Sequence, residues 1–334
     1  MNNMTTTFRF FRASVLLFLL FTGGKMSAQD FHLSQYDMFP LYYNPAQTGM
    51  YAGEQMDYRF CGNYRSQWQK LQGKPYSAFG IGFDMPMKRY GVGILVMDHI
   101  AGVSNFATTQ VLLSGAYRIT DESSKNHFLS AGLQVGFLQK RFSYGDLNFE
   151  TQYTGIDGFD RSIDNGEALP DLSIFRLDAN IGVYYKYLDP NHRFDPSIGF
   201  GLYHINTPDE SFNGPKSDLP MRWNGNFTCD FYLGDQFILT PNVLYMRQKK
   251  AQEINAGLMV GYQIAKSNYY MLGGGSFRDK DGVIFHLGIK QGNSIFRVSY
   301  DMITSPLKNY GGGRGGFEMG VIYSGKLKTG KRAR

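Results

Sequence analysis

Apolar and small or polar residues alternate one by one along most of this chain. Leu129, Ala131, Leu133, Val135 and Phe137 interleave with Ser130, Gly132, Gln134 and Gly136. Leu177, Ala179, Ile181, Val183 and Tyr185 interleave with Arg176, Asp178, Asn180, Gly182 and Tyr184. Successive side chains of a β-strand point to opposite faces, so each run predicts a strand with one apolar face and one polar or small face. About fourteen such strands are predicted, near 55–68, 75–84, 90–98, 104–119, 127–141, 174–187, 197–206, 221–233, 237–247, 252–264, 268–278, 282–290, 293–302 and 315–325. No helical stretch is long enough to divide them and no internal repeat is evident, so one continuous antiparallel sheet is expected. Such a sheet either covers a soluble core or closes into a barrel with lipid outside and a wet lumen.

The connections separate these alternatives. Every second one is short: Asp121 to Asn126, Leu188 to Pro196, Gly234-Asp235-Gln236, Ala265-Lys266-Ser267 and Gln291-Gly292. The alternate set holds the long ones, Phe142 to Ser173, Thr207 to Pro220 and Ile303 to Arg314. Outer-membrane barrels have short periplasmic turns and longer outer loops, whereas a soluble meander has no reason to sort its loops by parity. The expected class is all-β, a transmembrane antiparallel β-barrel of about 14 strands with both ends periplasmic.

The N-terminus agrees with export. Arg9 and Arg12 precede a short apolar run from Ala13 to Phe21, and small residues lead to Ala28. This is a signal peptide over 1–28, with a mature start at Gln29. The run is too short to span a bilayer as a helix. Composition points the same way: 40 Gly, 27 Phe and 23 Tyr suit an uncrowded lumen and interfacial aromatic girdles. The formal net charge of +6 is partly local, in the leader and in a tail at 326–334 with Lys326, Lys328, Lys331, Arg332 and Arg334. With export, this leaves no nucleic-acid footprint. Cys61 and Cys229 both sit in strand-like runs and read as two small buried residues.

Residues 29–54 have no regular period and contain Pro40, Tyr42, Tyr43, Asn44 and Pro45. Fourteen strands enclose more space than wall side chains fill, so this segment is expected to plug the lumen or cap its periplasmic mouth. The barrel proper is placed at 55–325. No catalytic set is found. His32, His99, His127, His192, His204 and His286 lack metal-ligand spacing. Gly311 to Gly316 lacks the Lys-Ser/Thr of a phosphate loop. No cofactor or metal is expected. Arg59, Asn63, Arg65 and Gln67 share the lumen face of the first strand, and Arg297, Ser299 and Asp301 one face of a late strand. Closure makes the first and last strands neighbours, so these sets can meet around the lumen, either bracing the wall or lining a transport path. Tyr64 and Trp68 belong to an outer girdle.

Four segments resemble one family. Gln35-Tyr36 and Pro40 to Gly49, with Asn44-Pro45-Ala46, resemble the opening of mature PorP/SprF family proteins. Tyr64-Arg65-Ser66-Gln67-Trp68 is similar to that family's Tyr-Arg-x-Gln-Trp signature. Leu219-Pro220, after His204 and Thr207-Pro208, resembles its middle motif. Arg278, Asp279 and Asp281, then Tyr300 and Asp301, then Phe317-Glu318, resemble its C-terminal block. Gly274, Gly275 and Met302-Ile303 depart from its commoner residues.

The resemblance implies a non-enzymatic outer-membrane barrel of the type IX secretion system of Bacteroidota-like bacteria. It would support export or surface anchoring of proteins with a C-terminal sorting domain, or of a gliding adhesin. Implied partners are outer-membrane lipids, periplasmic ring proteins and lipoproteins of that system, and the exported proteins themselves. The alternative is a channel for small solutes, similar in build to fatty-acid transporters.

Overall fold

The computed structural model describes residues 30–52, 56–67, 76–102, 106–143, 147–154, 158–160, 162–164, 172–212, 215–306, 308 and 314–327. The expected signal peptide, Trp68 and the tail from residue 328 lie outside them.

Fourteen strands form one closed antiparallel barrel. In chain order they are β1 (Tyr58–Gln67), β2 (Tyr76–Met87), β3 (Tyr90–Ala101), β4 (Phe106–Arg118) and β5 (His127–Phe142). After a two-residue hairpin of β6 (Tyr153–Thr154) and β7 (Gly158–Phe159) come β8 (Leu172–Tyr187), β9 (Phe194–Tyr203), β10 (Arg222–Leu233), β11 (Phe237–Gln248) and β12 (Ala251–Gln263). β13 (Tyr269–Arg278), β14 (Gly282–Gln291), β15 (Ser294–Ile303) and β16 (Arg314–Gly325) complete the wall. β1 closes it against β16, in register from Tyr58↔Gly325 to Gln67↔Gly316. The β6–β7 hairpin stands outside the barrel sheet, in the long connection between β5 and β8.

The alternation places apolar residues outward. Leu287, Leu177 and Leu113 are 67, 64 and 60% exposed, whereas Asp84, Ser130, Gln134, Asn180 and Glu318 are fully buried. A water-soluble sheet would reverse this, because exposed apolar area on that scale does not persist in water. With lipid outside, every spanning backbone group must be paired within the wall, which closure achieves. No helix among the described residues is long and apolar enough to cross a membrane. Tyr90–Tyr117, Phe237–Tyr262 and Tyr58–Tyr323 ring contacts ring the short-turn end, where an interfacial girdle belongs.

Several strand edges differ by a few residues from the sequence reading, those of β2 and β9 among them. β2 continues past residue 84 to Met87 and closes on β3 by a two-residue turn, Lys88-Arg89, with Lys88 at φ 59°. β9 begins at Phe194 and ends at Tyr203, because His204 and Thr207 turn the chain through left-handed conformations at φ 56° and 39°. Both cysteines are buried and unpaired with each other.

Candidate functional site

Residues 31–52 fold into the barrel lumen as three short turns. Tyr36–Met38 and Pro45–Gln47 are 3-10 turns, and Pro40–Tyr43 is one turn of α-helix. Pro40 and Pro45 each open a turn, where their missing N–H leaves no orphan donor. Asn44 caps the third turn, its Oδ1 accepting from the Ala46 N–H at 3.0 Å. Tyr42 and Tyr43 tie the segment to itself: the Tyr43 hydroxyl accepts from the Leu33 N–H at 2.7 Å, and the Tyr42 hydroxyl donates to the Phe31 carbonyl at 2.7 Å.

The middle of this segment is apolar. Leu33, Met38, Phe39 and Leu41 are fully buried, against wall residues that include Cys61, Leu95, Met97, Leu112 and Leu244. The wall is also cut away to receive the backbone. A Cβ at Gly132 would lie 2.4 Å from the Pro45 carbonyl, and one at Gly91 would lie 1.9 Å from the Thr48 carbonyl oxygen. Asn44 sits over Gly182 and donates to the Val183 carbonyl at 2.9 Å.

One end of the segment is held by charge. Glu318 accepts from the backbone N–H groups of Ser34 and Gln35 at 2.7 and 2.9 Å, from Arg65 at 2.9 Å and from Asn63 at 3.0 Å. Arg65 also pairs with Asp301 at 2.7 Å and donates to Gln67. Asp301 accepts from the Ser34 hydroxyl, which in turn accepts from Arg65 and Arg278. Arg278 bridges Asp301, Asp281 and Glu253 at 3.3, 2.8 and 3.4 Å. His32 lies 3.2 Å from Glu253. Arg297 reaches Gln35 and Asp37.

The other end has a separate clamp. Asp84 accepts from the Gly49 N–H at 2.6 Å and from Arg59 at 2.7 and 3.0 Å, while Arg59 also donates to the Gln47 carbonyl.

Burial shapes the protonation of the segment. It pushes the His32 imidazole well below its ordinary value, and the nearby Arg278 and Arg65 charges push the same way. Burial also raises the Tyr43 phenol far above its usual range. Asp37 is pushed up by burial, but the Arg297 guanidinium outweighs that and holds the carboxyl below its usual value. No group of three or more His, Cys, Asp and Glu residues among the described residues is arranged to hold a metal ion. Chemically the cluster holds a segment in place. A buried ion pair adds little net stability, but removing one member leaves the other uncompensated.

The structure thus brings Asn63, Arg65, Gln67, Arg278 and Asp301 into one cluster, with Asp281 at its edge. Arg297 joins it only through the lumen segment, and Arg59 stands apart with Asp84. Tyr64 and Tyr300 face outward, 41 and 43% exposed. Asp279 lies in the turn after β13, beside Lys280. Asn44 and Pro45 are in the segment itself. The sequence pattern does not single out Ser34, Asp84 or Glu253, and Gln35 and Glu318 enter only as parts of motifs. Glu318 had a usable signal: it is a lone carboxylate on the inward face of an apolar strand.

Fold, outward apolar band and buried polar lumen define an outer-membrane β-barrel. The chain matches the family described as Type IX secretion system membrane protein PorP/SprF over residues 25–323, and it belongs to that family. A comparison with curated protein sequences gave no match. Among solved structures, the toluene transporter TbuX of Ralstonia pickettii is 12% identical, covering 86% of this chain and 93% of its own, with a TM-score of 0.50. The toluene transporter TodX of P. putida is 9% identical, with coverages of 85 and 92% and a TM-score of 0.46. A FadL homologue of Pseudomonas aeruginosa is 10% identical, with coverages of 90 and 95% and a TM-score of 0.46. At these identities the likeness concerns the fold alone.

Proposed function

We propose that this protein is a non-enzymatic component of the type IX secretion system that supports export or surface anchoring of proteins with a C-terminal sorting domain, a gliding adhesin among the candidates. Family membership supplies the secretion role. The observation that carries the mechanism is the lumen segment, held by Glu318, Asp301, Arg65 and Arg278 at one end and by Asp84 and Arg59 at the other. A barrel filled in this way suits a platform better than an open channel. Its periplasmic turns, the lumen segment and the basic tail from Lys326 are the surfaces proposed to meet ring proteins and lipoproteins, and lipid surrounds the wall. Signal cleavage after Ala28 and the division 1–28, 29–54, 55–325 and 326–334 belong to the same reading.

The test is a pair of variants in the native cell. Replacing Lys326, Lys328, Lys331, Arg332 and Arg334 by Ser is expected to weaken co-purification of periplasmic partners and leave assembly of the barrel intact. Deleting 31–50 is expected to impair export of sorting-domain proteins. Normal export in the deletion strain contradicts the reading. The second reading, a small-solute channel, draws on the fold shared with TbuX, a toluene transporter. It requires a lumen that conducts with the segment present.

A further inference from the structure

A closed barrel has no strand edge to offer, yet this one keeps a long unpaired run. β8 pairs with β5 along its whole length, from His127↔Tyr187 to Phe142↔Leu172. On its other side, pairing with β9 stops at Ile181↔Leu202. From Leu172 to Asn180 the second edge of β8 has no strand beside it, and this is the longest such run in the barrel among the described residues.

The chain after β9 covers the lower part of that edge, and higher up its Asp209 carbonyl accepts from Arg176, whose Nη1 donates to the Phe175 carbonyl at 2.9 Å and leaves the N–H groups there unpaired. The Ile205 N–H donates to the Ala179 carbonyl at 3.0 Å. The Asn206 carboxamide then does what a peptide group would: its Oδ1 accepts from the Ala179 N–H at 3.2 Å, and its Nδ2 donates to the Leu177 carbonyl at 2.7 Å. Because backbone groups alternate in direction along a strand, Ala179 fixes which others point to the open side. They are Leu177, Phe175 and Ser173. Their N–H groups meet no acceptor among the described residues. Phe175 and Leu177 are 58 and 64% exposed, and Phe137 of the neighbouring strand, 51% exposed, holds its ring 6.0 Å from that of Phe175, tilted by 59°. Unpaired donors beside an apolar face are what an extended chain pairs with.

A second copy of the barrel does not fit this edge. Two barrels in one membrane share an orientation, and strands tilt by about 35–45° from the axis. A two-fold along the membrane normal therefore crosses the two β8 edges at roughly twice that angle, and no ladder forms. The occupant must be a flexible segment that adopts the direction of β8. We infer that the outer edge of β8 takes an added strand from an extended segment of another polypeptide, with apolar side chains at alternate positions against Phe175 and Leu177, and that Asn206 holds the place of this strand when it is absent.

The test uses the full-length protein in lipid nanodiscs and a fluorescent peptide of alternating valine and threonine with lysine at each end. Phe175→Pro removes a donor on the open side and leaves the β5 ladder, whose hydrogen bonds come from the even-numbered residues. Binding is expected to be saturable and to fall roughly tenfold or more in this variant. Asn206→Ala removes the competing amide and is expected to tighten binding severalfold. Amide exchange at Ser173, Phe175 and Leu177 should slow on peptide addition, with Ile174 and Arg176 unchanged. Equal binding to native and Phe175→Pro protein, no gain in Asn206→Ala, or exchange slowed without alternation would each overturn the inference. No binding to the native protein would overturn it as well.

Discussion

Glu318→Gln isolates the contribution of the charged anchor. The side chain is fully buried and accepts four hydrogen bonds, two from the Ser34 and Gln35 backbone and two from Arg65 and Asn63. A carboxamide of the same shape keeps one acceptor oxygen and turns an NH₂ toward two of these donors. Hydrogen bonds to a charged group are worth about 1.5–3 kcal/mol each, so the loss is about 3–6 kcal/mol. Asp301 still partners Arg65, which argues for the lower end, about 3 kcal/mol, or roughly a 150-fold shift toward the released segment. Burial of Leu33, Met38, Phe39 and Leu41 opposes release with about 6–12 kcal/mol as an upper estimate. The segment therefore stays mostly docked but opens far more often. Amide exchange of residues 33–44 reads this directly, with acceleration of about two orders of magnitude expected. The β16 ladder is untouched, so heat-modifiable mobility of the barrel should not change. Ser34→Ala, which removes the hydroxyl shared by Asp301, Arg65 and Arg278, should be non-additive with Glu318→Gln. Unchanged protection in Glu318→Gln would refute the claim that this cluster anchors the segment.

Gly132→Ala sets a methyl group 2.4 Å from the Pro45 carbonyl, so the segment should be displaced and conductance raised while the wall still forms; conductance equal to the native protein's argues against a tight seat. The docked state holds His32 well below its ordinary value, whereas a released segment titrates near about 6.5. Docking should be insensitive to pH above that point and weaken below it, by up to about tenfold per pH unit, and His32→Gln should remove this dependence. Opening rates that stay flat to pH 5 would contradict the assignment. With Asp235→Cys in a short turn and Glu150→Cys in a long loop, an impermeant thiol reagent added to whole cells should label only the second; the reverse overturns the orientation.

Much of the wall was readable because lipid makes the two-residue period nearly obligatory. Where strands end was less so. The turn Lys88-Arg89 carries none of the Gly, Asn or Asp that usually mark a two-residue hairpin, so the pattern predicts too early an end for β2. The halt of β9 at Tyr203 depends on His204 adopting a left-handed conformation, which no local pattern announces. Arg65 and Asp301 could be placed near one another because closure makes β1 and β15 near neighbours. Arg59 shares their face, but it lies too far along β1 and meets Asp84 instead. Ser34 carries no signal and Gln35 only a motif match: their role depends on how an irregular segment folds inside the wall, and periodicity says nothing about that. The glycines were legible as small but not as seats, since the backbone they receive is distant in sequence.

Conductance of the purified full-length protein in planar bilayers, beside a variant lacking residues 31–50, tests the plugged-platform account most directly. The intact protein is expected to conduct poorly and the deletion to give large, stable openings. A large, stable pore in the intact protein would contradict the account and favour the small-solute channel.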